Sequence, residues 1–206
     1  MITWLKAEEQ HQHKNGGGWV ANTATTEDSV HIGPNAVVFG DARVFGNARV
    51  FGDAWVFGNA QVYGKAVVSD NARVFGDVQV FGNAQVYGKA VVSGDAWVFG
   101  DAQVFGDAAV YGNARVFGDA WVFGDAQVFG KAVVFSDAWM ETPLFIQGTK
   151  HGVSNSSYGK LSIGCVTLTF AEWKKQYRVI GKREGYTEKQ IKEYGAIIAL
   201  ATKIGK

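Results

Sequence analysis

A six-residue pattern repeats without a break over more than half of the chain, from Ile32 to Trp139. The typical hexad consists of a branched aliphatic residue, an aromatic residue, glycine, Asp or Asn, alanine and one variable residue, as in Val44-Phe-Gly-Asn-Ala-Arg49. Eighteen hexads fit in this stretch, and glycine occupies the third position in fifteen of them. A short fixed period indicates the fold more strongly than the secondary-structure propensities of single residues, because it sets the whole architecture.

The hexad predicts a short strand followed by a corner. Successive side chains of a strand point to opposite sides. In the run of alanine, variable residue, valine and aromatic residue, alanine and valine therefore lie on one side, and the variable and aromatic residues lie on the other. Glycine followed by Asp or Asn tolerates the positive φ of a turn. A helix is excluded, since a glycine at every sixth residue would cost about 1 kcal/mol each time.

The pattern resembles the hexapeptide-repeat family of left-handed parallel β-helices. The resemblance rests on repeats such as VFGDAR (38–43) and VFGNAR (44–49). It implies an all-β solenoid, a triangular left-handed parallel β-helix in which three hexads form one coil, the branched residue fills the interior and alanine fits at the corner. Residues one coil apart then lie above one another at the spacing of strands in a sheet, about 4.8 Å.

The composition on either side of the repeat predicts three regions. Residues 1–19 form an N-terminal segment and cap, residues 20–140 form the hexapeptide-repeat β-helix, and residues 141–206 form a C-terminal α+β region for capping or oligomerisation. Open solenoid ends need such caps, because each repeat contacts only its neighbours.

The C-terminal region is predicted to contain a small hairpin and a two-helix cap. Residues 144–148 and 161–166 are apolar runs that read as two strands, joined by a loop rich in Ser, Asn and Gly. The segments 169–172 and 187–190 are capping boxes, and each opens an amphipathic helix. Gly181 is the expected end of the first helix.

Charge, cysteine content and hydropathy restrict the class of protein. The formal net charge is +1, so no DNA partner is expected. Cys165 is the only cysteine, which excludes an internal disulfide and fits a reducing compartment. The first residues lack a signal-peptide core, and no apolar run is long enough to span a bilayer. The expectation is a cytoplasmic protein of a bacterial cell, with no membrane partner and no cofactor.

The outward position after each valine is aromatic in fifteen of the eighteen hexads. Stacking between coils accounts for part of this pattern. It still leaves ring surface facing water, and large apolar patches usually mark interfaces. We therefore expect a homo-oligomer, either a dimer or a trimer. The candidate interface residues are Phe99, Phe117, Phe135, Trp121 and Trp139.

Two sets of outward residues recur at the interval of one coil. Trp121 and Trp139 are expected to stack on one face. Asp101, Asp119 and Asp137 are expected to line one corner about 4.8 Å apart, where a carboxylate ladder can bind Ca²⁺. The alternative is a solvated turn in which mutual repulsion raises the pKa of the carboxyl groups.

Enzymatic activity is an alternative that the resemblance brings with it. Many left-handed β-helix proteins are acyltransferases or zinc enzymes that use histidines on the coils, but residues 32–139 contain no histidine. His151 and Cys165 would form a base and nucleophile only if the fold brings them together. A loop histidine and a structural cysteine are the simpler interpretation. The sequence predicts a protein that is not an enzyme, with a hexapeptide acyltransferase as the alternative.

Three segments outside the repeat carry a second resemblance. GGGWV (16–20), PLFIQGTKHG (143–152) and GYTEKQIKEYG (185–195) are similar to those of phage and prophage hexapeptide-repeat proteins. This resemblance covers most of the chain and implies a phage, or a bacterium that carries one. It favours a scaffold or binding protein whose C-terminal region contacts a host defence protein or sequesters a small nucleotide signal.

Basic and aromatic residues of the first predicted helix are the candidate ligand contacts. A cationic side chain would pair with an anion, and an aromatic ring would stack on the ligand. An ordinary solvated basic helix face is the alternative. The residues are Lys174, Lys175, Arg178 and Arg183 for the anion, with Lys150, Lys160 and Lys182 as further basic residues of the C-terminal region, and Trp173 and Tyr177 for stacking.

Overall fold

Three sheets form the walls of a solenoid of about seven turns, and the predicted β-solenoid architecture is confirmed. The computed structural model describes residues 5–205, so residues 1–4 and 206 of the two predicted terminal regions lie outside the described part. A short 3₁₀ turn, Ala7–Glu9, precedes the first strand. Apart from that first strand, which is antiparallel to its neighbour, the strands within each face run parallel.

Neighbouring strands of each face are hydrogen-bonded to one another along the solenoid axis. The first face contains, in spatial order, β1 (Gln10–Gln12), β2 (Trp19–Ala21), β5 (Val37–Val38), β8 (Trp55–Gly58), β11 (Arg73–Gly76), β14 (Val91–Val92), β17 (Ala109–Val110) and β20 (Gln127–Val128). The second face contains β3 (Thr25–Thr26), β6 (Arg43–Val44), β9 (Gln61–Val62), β12 (Gln79–Val80), β15 (Trp97–Val98), β18 (Arg115–Val116) and β21 (Val133–Val134). The third face contains β4 (His31–Ile32), β7 (Arg49–Val50), β10 (Val67–Val68), β13 (Gln85–Val86), β16 (Gln103–Val104), β19 (Trp121–Val122) and β22 (Ala138–Trp139).

The interior of the solenoid is made by the valine and alanine of each hexad. Ala84 and Val86, for example, are completely buried, because the alternation of a strand points both side chains inward. The interior departs from this pattern at Val78, which replaces an alanine, and at the two ends of the repeat, where Ile32 occupies the first regular hexad and Trp139 the last. Each regular coil therefore encloses nearly the same volume as the next.

The corner glycines lie against the corner of the next coil. Gly82 has a φ of 74°, and a Cβ atom there would lie 3.1 Å from the amide nitrogen of Gly100. Asp70 replaces the corner glycine in one hexad with a φ of 58°. Its Oδ2 accepts a hydrogen bond from the Gly88 amide at 3.0 Å. A short side chain that bonds locally makes this backbone region accessible to Asp.

The register of the repeat changes in the last hexad, which corrects the sequence prediction. Trp139 pairs with Val122 and Ala138 pairs with Trp121, one residue earlier than an unbroken period requires. A shift of one residue exchanges the inner and outer faces of a strand. Trp139 is therefore buried in the core, and Ala138 is exposed. The Nε1 of the buried indole donates a hydrogen bond to the Ser136 carbonyl at 2.8 Å.

A four-stranded antiparallel sheet closes this end of the solenoid, where the sequence predicted only two strands. The predicted loop contains an additional strand, and the second predicted strand is interrupted by a turn. The strands, in order, are β23 (Phe145–Gln147), β24 (Gly152–Ser157), β25 (Lys160–Ile163) and β26 (Val166–Thr169).

The polar strand β24 pairs with the last coil. The Phe135 amide donates to the Ser156 carbonyl at 3.1 Å. The Val133 amide donates to Ser154 Oγ, and the Ser154 hydroxyl donates to the Val133 carbonyl, both at 3.1 Å. Backbone groups at an open solenoid end need hydrogen-bond partners. Serine therefore suits this strand, and for the same reason its composition resembles that of a loop.

Two helices pack against the sheet. They are α1 (Phe170–Arg183) and α2 (Glu188–Ile204), and both predicted capping boxes are confirmed. Trp173 of α1 donates from its Nε1 to the Leu161 carbonyl of β25 at 2.8 Å. No helix within residues 5–205 combines the length and the apolar character needed to cross a membrane.

Gly181 lies within α1, so the prediction that it ends the helix is wrong. A Cβ atom at Gly181 would lie 3.0 Å from Cγ1 of Ile191 in α2. Glycine at this position therefore permits the close approach of the two helices. The helix ends two residues later, and Gly185 beyond it adopts a φ of 69°, which suits a helix terminus.

Candidate ligand-binding site

The C-terminal sheet and helices enclose a cavity of about 270 Å³, which we call the hollow. Its wall is largely apolar and includes Trp173 and Ile180 from α1, Ile191 and Ile198 from α2, and Ile163 from β25. Typical ligand pockets have volumes of roughly 300–1,000 Å³. The hollow therefore suits one compact apolar or aromatic group.

Cys165 and His151 both line the hollow. Gly164, in the turn between β25 and β26, has a φ of 60°, and a Cβ atom there would lie 3.3 Å from the His151 ring. The ring thus packs against the residue that precedes Cys165. The fold brings this histidine and this cysteine to one cavity, a question that the sequence left open.

Contacts with α2 hold the segment before β24 in place. Tyr194 Oη accepts hydrogen bonds from the amides of Lys150 (3.0 Å) and His151 (2.5 Å), and it donates to the His151 carbonyl at 2.7 Å. The Thr149 hydroxyl and amide donate to the Glu193 carboxylate at 2.5 and 2.8 Å and lower the pKa of Glu193. These contacts orient the His151 backbone beside the hollow.

Tyr186 forms an aromatic part of the hollow's wall. Its ring centroid lies 4.9 Å from that of Tyr194 and 5.8 Å from that of His151. Burial, followed by the neighbouring Tyr194 phenol and Glu184 carboxylate, raises the pKa of Tyr186 to about 12. The phenol therefore stays neutral around physiological pH. Lys150 Nζ lies 4.6 Å from the centroid of this ring.

A second cavity of about 410 Å³, which we call the groove, lies where the solenoid meets the C-terminal sheet. No carboxylate contributes to its lining within the described part of the chain. Arg115 and Lys131 come from the last coils, and Lys150 and His151 from the segment before β24. The remaining lining residues are Asn113, Val133, Gln147, Gly152, Ser154, Ser162 and Gly164.

Coil stacking places the two solenoid cations of the groove. Arg115 begins β18 and pairs with Val133 of β21. The backbone amide of Asn113 donates to the Gly130 carbonyl at 2.8 Å, which sets the corner bearing Lys131 against the preceding coil. Within residues 5–205, neither Arg115 nor Lys131 belongs to an ion pair. The Arg115 guanidinium lies 5.0 Å from the centroid of the Trp97 ring, which attracts the cation but carries no opposite charge.

The hollow and the groove adjoin each other, because His151 and Gly164 line both. Lys150 also connects them. Its Nζ donates to the carbonyls of Glu184 (2.6 Å) and Gly185 (3.3 Å) at the end of α1. The two cavities together form a site with an apolar part and a cationic part.

The predicted ligand contacts on α1 are not brought together. Trp173 and Tyr177 line the hollow, but Trp173 is only 3% exposed and its N–H is already bonded. The buried indole can form wall surface, and it is not available as an exposed stacking platform. Lys174, Lys175 and Arg178 are exposed and line neither cavity. Arg183 pairs with Glu184, with its Nε 2.9 Å from Oε1.

The structure does not group the three carboxylates of the predicted Ca²⁺ ladder. No group of three or more Asp, Glu, His or Cys side chains in residues 5–205 is placed to hold a metal ion. Asp101 Oδ1 accepts a hydrogen bond from Asn83 Nδ2 at 2.9 Å. Asp137 follows the register change, and its Oδ2 accepts from the Tyr158 amide and the Ser157 hydroxyl at 2.7 Å.

The five candidate interface residues differ in exposure. Phe99 and Phe117 stack at 4.8 Å, Phe117 and Phe135 lie 6.0 Å apart, and the three rings are half-buried. Trp121 is 46% exposed, and Trp139 is inside the core. The expected stack of Trp121 on Trp139 is therefore wrong, because the change of register turns Trp139 inward.

Arg115, Lys131 and Tyr186 were missed by the sequence analysis, whereas Lys150 was among the predicted anion contacts. Arg115 and Lys131 occupy positions at which other hexads also carry Arg and Lys, so no local feature distinguishes them. The usable signal was their place in the last coils, next to the region that closes the solenoid.

Comparison with known protein families supports a β-solenoid repeat. The family model of the YdcK β-solenoid repeat matches residues 42–58, 78–94, 84–100 and 108–124. All four stretches lie in the solenoid and together span less than half of the chain, so they support a β-helix repeat protein without assigning the C-terminal region. No curated protein and no solved structure matches the chain.

Proposed function

We propose that this chain is a non-enzymatic binding protein in which the solenoid is a rigid support and the C-terminal region binds a small molecule. The hollow carries the proposal. It has a largely apolar wall, aromatic rings that include those of Tyr177 and Tyr186, and polar groups at Cys165, His151 and Glu184. An apolar cavity with few polar groups is the usual form of a small-molecule site.

The solenoid suits the role of a support. Its ladders are continuous from one coil to the next, and outward rings add stacking along the second face. Stacked rings stabilise neighbouring coils beyond the burial of their area. A repeat of this kind holds the cations of the last coils at fixed positions beside the C-terminal sheet.

The proposal includes self-association through an apolar patch at the end of the solenoid. Trp121, Met140 and Tyr158 are 46%, 61% and 49% exposed. Ala138 connects Trp121 and Tyr158, since it pairs with Trp121 and accepts a hydrogen bond from Tyr158 Oη at 2.6 Å. Sedimentation velocity should show an oligomer that Trp121→Gln weakens and the control Trp97→Gln does not. A monomeric wild type would contradict this part of the proposal.

A hexapeptide acyltransferase is the second candidate, because His151 and Cys165 line the same cavity. The thiol would accept the acyl group and the imidazole would remove its proton. Incubation with acetyl coenzyme A, followed by intact mass measurement, distinguishes the two functions. The binding proposal predicts no acetyl adduct on Cys165 and no release of coenzyme A.

The hollow is tested with the neutral fluorescent probe N-phenyl-1-naphthylamine. We expect saturable binding to the wild type and to Cys165→Ser, and a loss of about tenfold or more for Cys165→Trp, whose indole obstructs the cavity. Circular dichroism and thermal melting confirm that each variant is folded. Absence of saturable binding, or equal binding by Cys165→Trp, would overturn the proposal.

A further inference from the structure

We propose that the ligand is a small organic anion, with its apolar or aromatic body in the hollow and its phosphate, sulfonate or carboxylate head in the groove. This inference rests on the proposed function and names the chemistry of its ligand. It starts from the adjacency of the two cavities, which share His151 and Gly164. A molecule whose body fills the hollow would therefore have its head group beside the groove.

The charge distribution of the groove favours an anion. Arg115 and Lys131 have no acidic partner in the described part of the chain. The solenoid that supplies them is otherwise acidic, because residues 32–139 contain ten Asp and seven Lys or Arg. A local excess of positive charge in a concave surface attracts anions and strengthens their hydrogen bonds.

Neutral polar groups complete the recognition of a head group. Asn113 and Gln147 line the groove with side-chain amides. Each donates one N–H within the protein, to Asp95 Oδ2 and to the Gly148 carbonyl, and retains a second N–H for a ligand. An arginine matches the geometry of phosphate or carboxylate oxygens, and a lysine contributes a point charge. These donor types suit an oxyanion and leave recognition of the body to the hollow.

The candidate phosphate class is a nucleoside monophosphate. Its base would occupy the hollow, where Tyr177 and Tyr186 supply aromatic rings, and its phosphate would occupy the groove. Aromatic surface binds nucleobases with little sequence preference. Nucleotides therefore test the phosphate form of the proposal, and a sulfonate dye tests the general form.

A matched pair of dyes separates the two parts of the site. 8-Anilinonaphthalene-1-sulfonate is N-phenyl-1-naphthylamine with an added sulfonate. At low ionic strength the wild type should bind the sulfonate about tenfold more tightly, the equivalent of one charged hydrogen bond. Salt should reduce this preference, because it screens exposed charges.

The groove variant combines Arg115→Gln with Lys131→Asn. Other hexads carry glutamine and asparagine at the equivalent positions, as in Gln103 and Asn113. Its control is Arg73→Gln with Lys65→Asn, which removes the same charge from equivalent positions outside the groove. The groove variant should bind both dyes equally, and the control should keep the preference. A preference that survives in the groove variant would overturn the inference.

Failures of the two proposals are distinguishable. Loss of all dye binding contradicts the hollow itself, whereas binding of the neutral dye with no preference for the sulfonate contradicts only the groove. Competition supplies the phosphate test. Adenosine 5′-monophosphate should displace the sulfonate dye more effectively than adenosine or inorganic phosphate, and equal displacement by adenosine would contradict a role for the phosphate.

Discussion

The solenoid and the C-terminal region fill their interiors in different ways. Along the solenoid, valine and alanine recur at the same inward positions, so each coil repeats the volume of the last. In the C-terminal region a sheet of four strands meets two helices, and the buried side chains range in size from that of Ala201 to that of Trp173. Regular repetition favours a uniform core, and the irregular meeting of elements leaves the hollow and the groove. Support and binding are thereby divided between the two regions.

The junction between the two regions depends most strongly on Trp139. Replacing it by alanine should reduce the free energy of unfolding by about 3–5 kcal/mol, because a large buried side chain is removed from a position that closes the core. Trp121→Ala, on the outside of the preceding coil, should cost less than about 1 kcal/mol. Urea denaturation measures both values. Equal effects would show that Trp139 does not close the solenoid.

Two glycines with nearly the same φ sharpen the comparison of backbone packing. Gly82 in the solenoid has a φ of 74° and lies against Gly100, whereas Gly159 in the C-terminal region has a φ of 72° and no atom within 4 Å of a Cβ placed there. Gly159→Ala should cost about 1–2 kcal/mol for its backbone conformation. Gly82→Ala should cost about 1–2 kcal/mol more, because the methyl group overlaps the next coil.

The difference between these two variants in urea denaturation measures the contact between coils directly. Gly17, with a φ of 75° and open space around it, provides a second control at the other end of the chain. If Gly82→Ala and Gly159→Ala have the same cost, close coil stacking does not explain the corner glycines.

Asp137 connects the two regions by charge. Burial disfavours its carboxylate, but the Tyr158 amide and the Ser157 and Ser136 hydroxyls outweigh burial and lower its pKa. Asp137→Asn retains a residue that tolerates a φ of 68°. It should reduce the free energy of unfolding by about 1–2 kcal/mol near neutral pH, because charged hydrogen bonds are replaced by neutral ones.

The pH dependence of this variant tests the sign of the effect. Since the folded-state pKa of Asp137 is lower than the unfolded value of about 3.9, its contribution is complete above that value and is lost as the pH falls through the folded-state pKa. Wild type and Asp137→Asn should therefore converge in stability below about pH 4. A difference that stays constant through this range would assign the effect to shape rather than charge.

The sequence predicted the architecture of the solenoid well, because its signals are local. A strand alternates every second residue, and a corner needs a residue that adopts positive φ, so the hexad carries both pieces of information. Thr169 and Thr187 marked the helix starts for the same reason, since a capping box is complete within four residues.

The predictions that failed depended on contacts between distant residues. Trp139 turns inward because the last coil shortens at the junction. Strand β24 is polar because Ser154 and Ser156 pair with the open end of the coil. Gly181 continues α1 because Ile191 of the other helix packs against it. Each of these structural features depends on residues outside the short segment from which it was predicted.

The sequence alone determined a β-solenoid with a mixed helix and strand region after it, because period and capping are properties of neighbouring residues. Tertiary structure alone decided the candidate site. It brings Arg115 and Lys131 of the last coils beside His151, and it places His151 and Tyr186 around one cavity. These residues are separated in the chain by tens of positions, and only the packing of the sheet between solenoid and helices makes them neighbours.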